Sequence, residues 1–125
     1  VIVLDASLLI AHFDHDDALH AQATEHLLDA ADQQFGASSI TLAEILVGPT
    51  RTGRLVIAQA ALRALDVTEL PLPSNAAMRL AALRVESGLK LPDCCVLLAA
   101  QDTNGTVLTF DDRLGREAIR LGLTG

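Results

Sequence analysis

Four short apolar runs recur along the chain, each separated from the next by two stretches of helical periodicity, and this alternation limits the fold more than any other feature. The runs are Val1 to Leu4, Phe35 to Ser39, Val67 to Leu72 and Thr106 to Phe110. Within Ala18 to Gln33, the residues Leu19, Ala23, Leu27 and Ala30 fall on one helical face, and Leu55, Ala58, Leu62 and Leu65 do the same further on. Turn formers lie between the periodic stretches: Gly48-Pro49, Gly53, Pro71 to Asn75, Gly88, Pro92 and Asn104-Gly105. The expected order is β-α-α-β-α-α-β-α-α-β-α. Strands joined through helices pair in parallel, and the helices then cover both faces of the sheet. The expectation is an α/β fold: one three-layer αβα domain over residues 1 to 125, with a central, mainly parallel sheet of four or five strands.

Composition excludes several function classes. Half of the residues are apolar and 20% are charged, so there is enough apolar surface to offset the entropy of ordering, which a disordered tail lacks. Phe13, Phe35 and Phe110 are the only aromatic residues, too few for a module that stacks bases on aromatic platforms. A net charge of −7 and a pI near 4.8 argue against gripping nucleic acid through many Lys and Arg contacts. If nucleic acid is the substrate, the positive charge has to come from bound metal or from a basic partner chain. Dinucleotide and P-loop motifs are absent, and Lys90 is the only lysine. Cys94 and Cys95 are adjacent and do not form a CxxC pair. Val1 to Leu4 runs into Asp5 without a basic leader, and no run reaches the ~18 apolar residues of a membrane span. A cytoplasmic protein with no membrane partner is expected.

In open parallel sheets, ligands bind beyond the carboxyl ends of the strands. The first run leads directly to Asp5, the second into a helical stretch carrying Glu44, and the last to Asp111 and Asp112, while Asp93 opens the helix before the last run. Each acid has a structural reading. Asp5 and Asp111 or Asp112 stand where N-caps stand, Thr41 to Glu44 matches a capping box, and Asp93 after Pro92 suits a helix N-terminus. Together they argue for more, because carboxylates brought to one edge repel one another unless they are protonated or hold a cation. Oxygen-rich sites select Mg²⁺ or Mn²⁺, which suits phosphodiester hydrolysis.

These residues resemble a known family, the PIN-domain ribonucleases, and within it the VapC toxins of bacterial toxin–antitoxin pairs. The stretches that carry the likeness are Val3 to Ala11, Ser39 to Ile45, Leu91 to Ala100 and Val107 to Asp111, in order along nearly the whole chain. The resemblance implies that Asp5, Glu44, Asp93 and Asp111 are the catalytic acids that bind Mg²⁺ or Mn²⁺. It also implies that Ser7 and Thr109 are supporting hydroxyls. The pattern breaks after Asp111: where members often carry another acid before an aromatic residue, this chain has Arg113 and Leu114, and Asp112 is the acid left to substitute. The implied activity is hydrolysis of single-stranded RNA by activated water, without a covalent intermediate. The implied partners are a second copy of the chain, as a homodimer, and a VapB-type antitoxin whose C-terminal segment fills the groove at the acids and directs a basic side chain at them.

Arg51, Arg54, Arg113 and Arg116 are candidate contacts for the RNA backbone. His12, His15, His20 and His26 read as helix-face or surface residues, because no HExxH pattern or cysteine partner supports zinc; by resemblance, His20 helps to pack the second helix. Cys94 and Cys95 lead into an apolar run, which favours burial over reactivity. Two functions compete: a metal-dependent endoribonuclease toxin, and an inert PIN-like binding module whose acids serve as helix caps.

Overall fold

A computed structural model describes residues 1–125, and in it every apolar run forms a strand. The elements are β1 (Ile2–Leu4), α1 (Ala6–Phe13), α2 (His20–Asp29), β2 (Phe35–Ser38), α3 (Ser39–Arg51), α4 (Leu55–Leu65), β3 (Val67–Leu70), α5 (Ala76–Ser87), α6 (Leu91–Thr103), β4 (Thr106–Leu108) and α7 (Asp112–Arg120). The four strands pair in parallel in the order β3-β2-β1-β4.

Handedness then decides which helices cover which face. Right-handed crossovers that step from β1 to β2 to β3 put their helices on one side, and the crossover that returns past β1 to β4 must put its helices on the other. The two cores follow this rule. Ile2 and Leu4 of β1 pack with Leu8, Leu9, Ala23, Leu27 and Leu42 from α1, α2 and α3. Val3, which points the opposite way by the two-residue period of a strand, packs with residues of α5, α6 and α7. The chain therefore reverses its direction of winding at the β1/β4 boundary, where the segments after the two strands leave towards opposite faces. That boundary is where a doubly wound sheet leaves a crevice.

The helix α6 is buried along seven consecutive residues, Cys94 to Ala100. Its all-round apolar sequence suits a helix wedged under the sheet with neighbours on every side. Asn104 ends α6 in the left-handed region, with φ of 49°. Gly105 follows, where a Cβ would come within 2.5 Å of the Val1 carbonyl oxygen; only glycine lets the chain turn there and start the β1–β4 ladder.

Several element ends differ from the sequence expectation. The helix expected from Ala18 begins at His20, because the Asp14 and Asp17 carboxylates accept from the amides of Asp16 and Leu19 at 3.0 and 2.8 Å. These Asx turns hold the preceding loop out of helical geometry. The capping box expected at Thr41 to Glu44 does not exist. The residue that caps α3 is Ser38, whose hydroxyl accepts from the Ile40 amide at 3.3 Å, so Thr41 already lies inside the helix. In α4 no residue is fully buried, and the apolar face carrying Ala58, Leu62 and Leu65 is only half covered. No helix is long and apolar enough to cross a membrane.

Candidate functional site

Asp5 sits directly after β1 and caps α1, buried to 4% exposure. An anionic side chain there is favoured by the positive end of the helix. Its Oδ1 accepts from the Leu8 amide at 3.1 Å and from the Ser7 hydroxyl at 2.8 Å, and its Oδ2 lies 2.9 Å from the same hydroxyl. The Thr109 hydroxyl donates to Oδ2 at 2.5 Å across 104 residues of sequence. Both hydroxyls also accept: Ser7 from the Phe110 amide at 3.2 Å, and Thr109 from the Asp111 amide at 2.9 Å. This network joins the segment after β4 to the segment after β1. Three donors meet a carboxylate that offers about four lone-pair sites, so roughly one remains for an outside group.

Asp111 caps α7, accepting from the Leu114 amide at 2.9 Å, and is exposed. Asp93 lies in the first turn of α6 without capping it by a side-chain bond. Glu44 is exposed on the second turn of α3. The four acids share one electrostatic neighbourhood. Burial raises the pKa of Asp5 above the usual carboxylate range despite its donors, and Asp111 raises it further. Burial raises Glu44, with Asp93 and Asp5 adding to the effect. Burial likewise raises Asp93, where repulsion from Asp111 and Asp5 outweighs the opposing pull of Arg113 and Lys90. Asp112 is exposed on the first turn of α7.

No three of the His, Cys, Asp and Glu side chains in the chain converge on one ion-sized point. The donor set is nonetheless all oxygen and of one charge. Mg²⁺ commonly binds through one or two carboxylates and retains several waters, so an open arrangement fits it, and it does not require a closed protein cage.

Two features of the structure had no counterpart in the sequence reading. One is the pair of backbone amides, Phe110 and Asp111, that orient the supporting hydroxyls. The other is a separate concavity of about 750 Å³ between α1, the start of α2, α3 and α4, walled mainly by apolar residues such as Ile45, Leu62 and Leu65 and edged by His12, His15 and His20. The three imidazoles gather there, with ring centroids 6.2 Å apart for His12 and His20 and 4.6 Å for His15 and His20. His20 Nδ1 lies 3.0 Å from the Ala11 carbonyl, which ties α2 to α1. Arg54 lines this groove, while Arg113 and Arg116 lie on α7. Cys94 and Cys95 are buried, and burial pushes both thiols up in pKa.

The family model for the PIN domain matches residues 2–119. Among solved structures, the chain is similar to a toxin–antitoxin complex from Klebsiella pneumoniae, with a TM-score of 0.75 and 28% identity over 89% of this chain and 87% of that one. It shares its fold with VapC20 of Mycobacterium tuberculosis, a toxin that cleaves the sarcin–ricin loop, at TM-score 0.75 and 19% identity, covering 94% and 95% of the two chains. The same holds for VapBC2 of Rickettsia felis, bound to a DNA fragment from its promoter, at TM-score 0.68 and 18% identity over 92% and 91%. No curated protein sequence matches the chain.

Proposed function

Because the chain belongs to the PIN domain family, we propose that it is a VapC-type toxin: a metal-dependent endoribonuclease that hydrolyses RNA phosphodiester bonds and is silenced by a VapB-type antitoxin. The observation that carries this reading is the gathering of Asp5, Glu44, Asp93 and Asp111 beyond the β1/β4 boundary, with pKa values raised in three of them. A scaffold gains nothing from such repulsion. The similarity to a toxin–antitoxin complex and to an RNA-cleaving VapC supports the same reading.

Mg²⁺ or Mn²⁺ held among Asp5, Glu44, Asp93 and Asp111, with Asp112 alongside, through one or two carboxylates directly and the others by way of its waters, would supply the positive charge that meets a phosphate and the acidity that makes water a nucleophile. The chain's own residues prepare that site. Ser7, Thr109 and the Leu8 amide fix the Asp5 carboxylate and favour its charged form. The buried Cys94 and Cys95 offer no thiolate, which favours direct attack by water over a covalent intermediate. The half-covered apolar face of α4, lining the groove, is what supports an antitoxin segment as partner.

The N-cap bonds of Asp5 and Asp111 favour a second reading, an inert PIN-like binding module. Capping accounts for those two acids only, because neither Glu44 nor Asp93 makes a side-chain cap bond. The deciding experiment is cleavage of a mixed RNA pool by the antitoxin-free chain with Mg²⁺ or Mn²⁺, then with EDTA, beside Asp5→Asn and Glu44→Gln. Cleavage should need the metal and fall by about 10²-fold or more in each variant, the usual cost of losing one charge-stabilising group. Both variants should fold, since Asn caps as well as Asp and Glu44 caps nothing. A folded, partner-free chain that cleaves no RNA would favour the binding module.

A further inference from the structure

The chain carries 9 Lys and Arg against 16 Asp and Glu. A polyanionic strand is therefore repelled except where unpaired cations lie within about 8 Å of its path, the screening length at physiological salt. Several cations are already engaged. Arg79 pairs with Asp102 at 2.9 Å, Arg120 with Glu117 at 2.6 Å, and Arg84 donates to the Leu89 carbonyl at 2.6 Å. Arg51 ends α3, seven residues beyond Glu44, which is roughly 10 Å along a helix. Arg54 faces the histidine-lined groove and Arg63 lies near the end of α4.

Lys90 and Arg113 are placed differently. Lys90 is the N-cap residue of α6, three residues before Asp93, and Arg113 is in the first turn of α7, two residues after Asp111. Both side chains are exposed, and neither forms an ion pair. Both act on Asp93, drawing its pKa down against the neighbouring carboxylates. These two unpaired cations thus stand at the starts of the two helices whose N-terminal ends carry Asp93 and Asp111. An Arg fork matches phosphate oxygens in pairs, and a Lys ammonium provides a point charge.

We propose that Lys90 and Arg113 are substrate-binding residues that clamp backbone phosphates of the RNA on either side of Asp93, setting the strand's path across the first turns of α6 and α7. The inference rests on the nuclease reading and deepens it. It assigns these two cations, in preference to Arg51 and Arg54, the work of countering an acidic surface.

The test measures binding of labelled, mixed-sequence single-stranded RNA to the Asp5→Asn chain across a salt series. Each phosphate contact contributes about 0.7 to the slope of log affinity against log salt. Arg113→Gln and Lys90→Gln should each reduce that slope by about 0.7 and together by about 1.4. Arg113→Lys should restore it, and Arg63→Gln should leave it unchanged. In the otherwise intact chain, each Gln variant should raise KM about tenfold, the cost of one charge-assisted hydrogen bond, with kcat little altered. Unchanged slopes and KM, in a chain that still cleaves RNA, would overturn the clamp and leave the nuclease reading standing. An intact chain that neither binds nor cleaves RNA would remove both.

Discussion

The acidic edge of the sheet and the histidine-lined groove respond to burial in opposite ways, although α3 contributes to both, through Glu44 to one and through Ile45, Leu46 and Pro49 to the other. At the edge, the buried charge of Asp5 is met by an amide and two hydroxyls. In the groove, His12 is half-buried, with the Thr24 hydroxyl 3.0 Å from Nδ1; burial lowers its pKa, and His20 and His15 lower it further. Burial alone makes both regions prefer neutral side chains. Only the edge carries donors aimed at the ionised form. The difference teaches how each region treats a titratable group: hydroxyl and amide donors hold the Asp5 carboxylate in its charged form against burial, whereas nothing opposes the loss of charge at His12.

Removing the donors should break this division most severely. Thr109→Val deletes the 2.5 Å bond to Asp5 and the acceptor for the Asp111 amide while keeping the side-chain shape. Loss of such a supporting bond typically costs about 10- to 100-fold in activity or metal affinity. Cleavage assays and metal titration of Thr109→Val should both show it. Ser7→Ala should follow in the same direction. His12→Gln in the groove should leave cleavage unchanged, and an equal loss there would mean that the two regions work as one.

What could be read from the sequence follows the same boundary. The order of strands and helices was legible because apolar period and turn residues are local signals, and the acids after Val1 to Leu4 and Thr106 to Phe110 pointed to the carboxyl edge. The α3 cap was misread because Ser38, Ser39 and Thr41 all suit an N-cap. The choice of Ser38 depends on where β2 ends, which is set by its pairing with β3 through Ser38 and Leu70. The Phe110 amide that holds Ser7, and the Thr109 hydroxyl that holds Asp5, lie about a hundred positions from their partners, so no local pattern carries them. The periodicity of α4 indicated a helix but not how far its face is covered, since an apolar stripe has the same spacing whether it meets a core or lines an open groove.

Titration sharpens the comparison at smaller amplitude. For Asp5, Glu44 and Asp93 the folded pKa is raised, so the folded chain holds more protons than the unfolded one. In metal-free solution, stability should then fall as pH rises from about 4 through those raised values. For His12 the folded pKa is lowered, so the unfolded chain holds more protons, and stability should fall as pH drops below about 6.5 through the lowered value. Urea melts in EDTA from about pH 4 to pH 8 should therefore show the two trends opposing each other on the acidic side of about pH 6.5. Asp5→Asn should weaken the loss on the alkaline side, and His12→Gln the loss on the acid side. Mg²⁺ at neutral pH should raise the intact chain's melting temperature, and Asp5→Asn should blunt that response. A profile that His12→Gln and Asp5→Asn alter identically would erase the distinction.

The smallest effect concerns Thr41, buried on α3 three residues before Glu44, whose hydroxyl has no hydrogen-bond partner. Burying a hydroxyl without a partner is costly, and a residue of the same shape without the oxygen escapes that cost. Valine matches threonine in branching and in helix propensity, so Thr41→Val changes little besides the hydroxyl. The variant should be more stable by about 1 kcal/mol, a gain of a few degrees in melting temperature. The helix α3 should keep its start at Ser38, so the groove and Glu44 should hold their positions. If Thr41→Val instead lowers stability while metal-dependent cleavage also falls, the hydroxyl is serving the acidic edge through a bridging water, and that region extends one helical turn further into α3 than the contacts of Asp5 and Glu44 indicate.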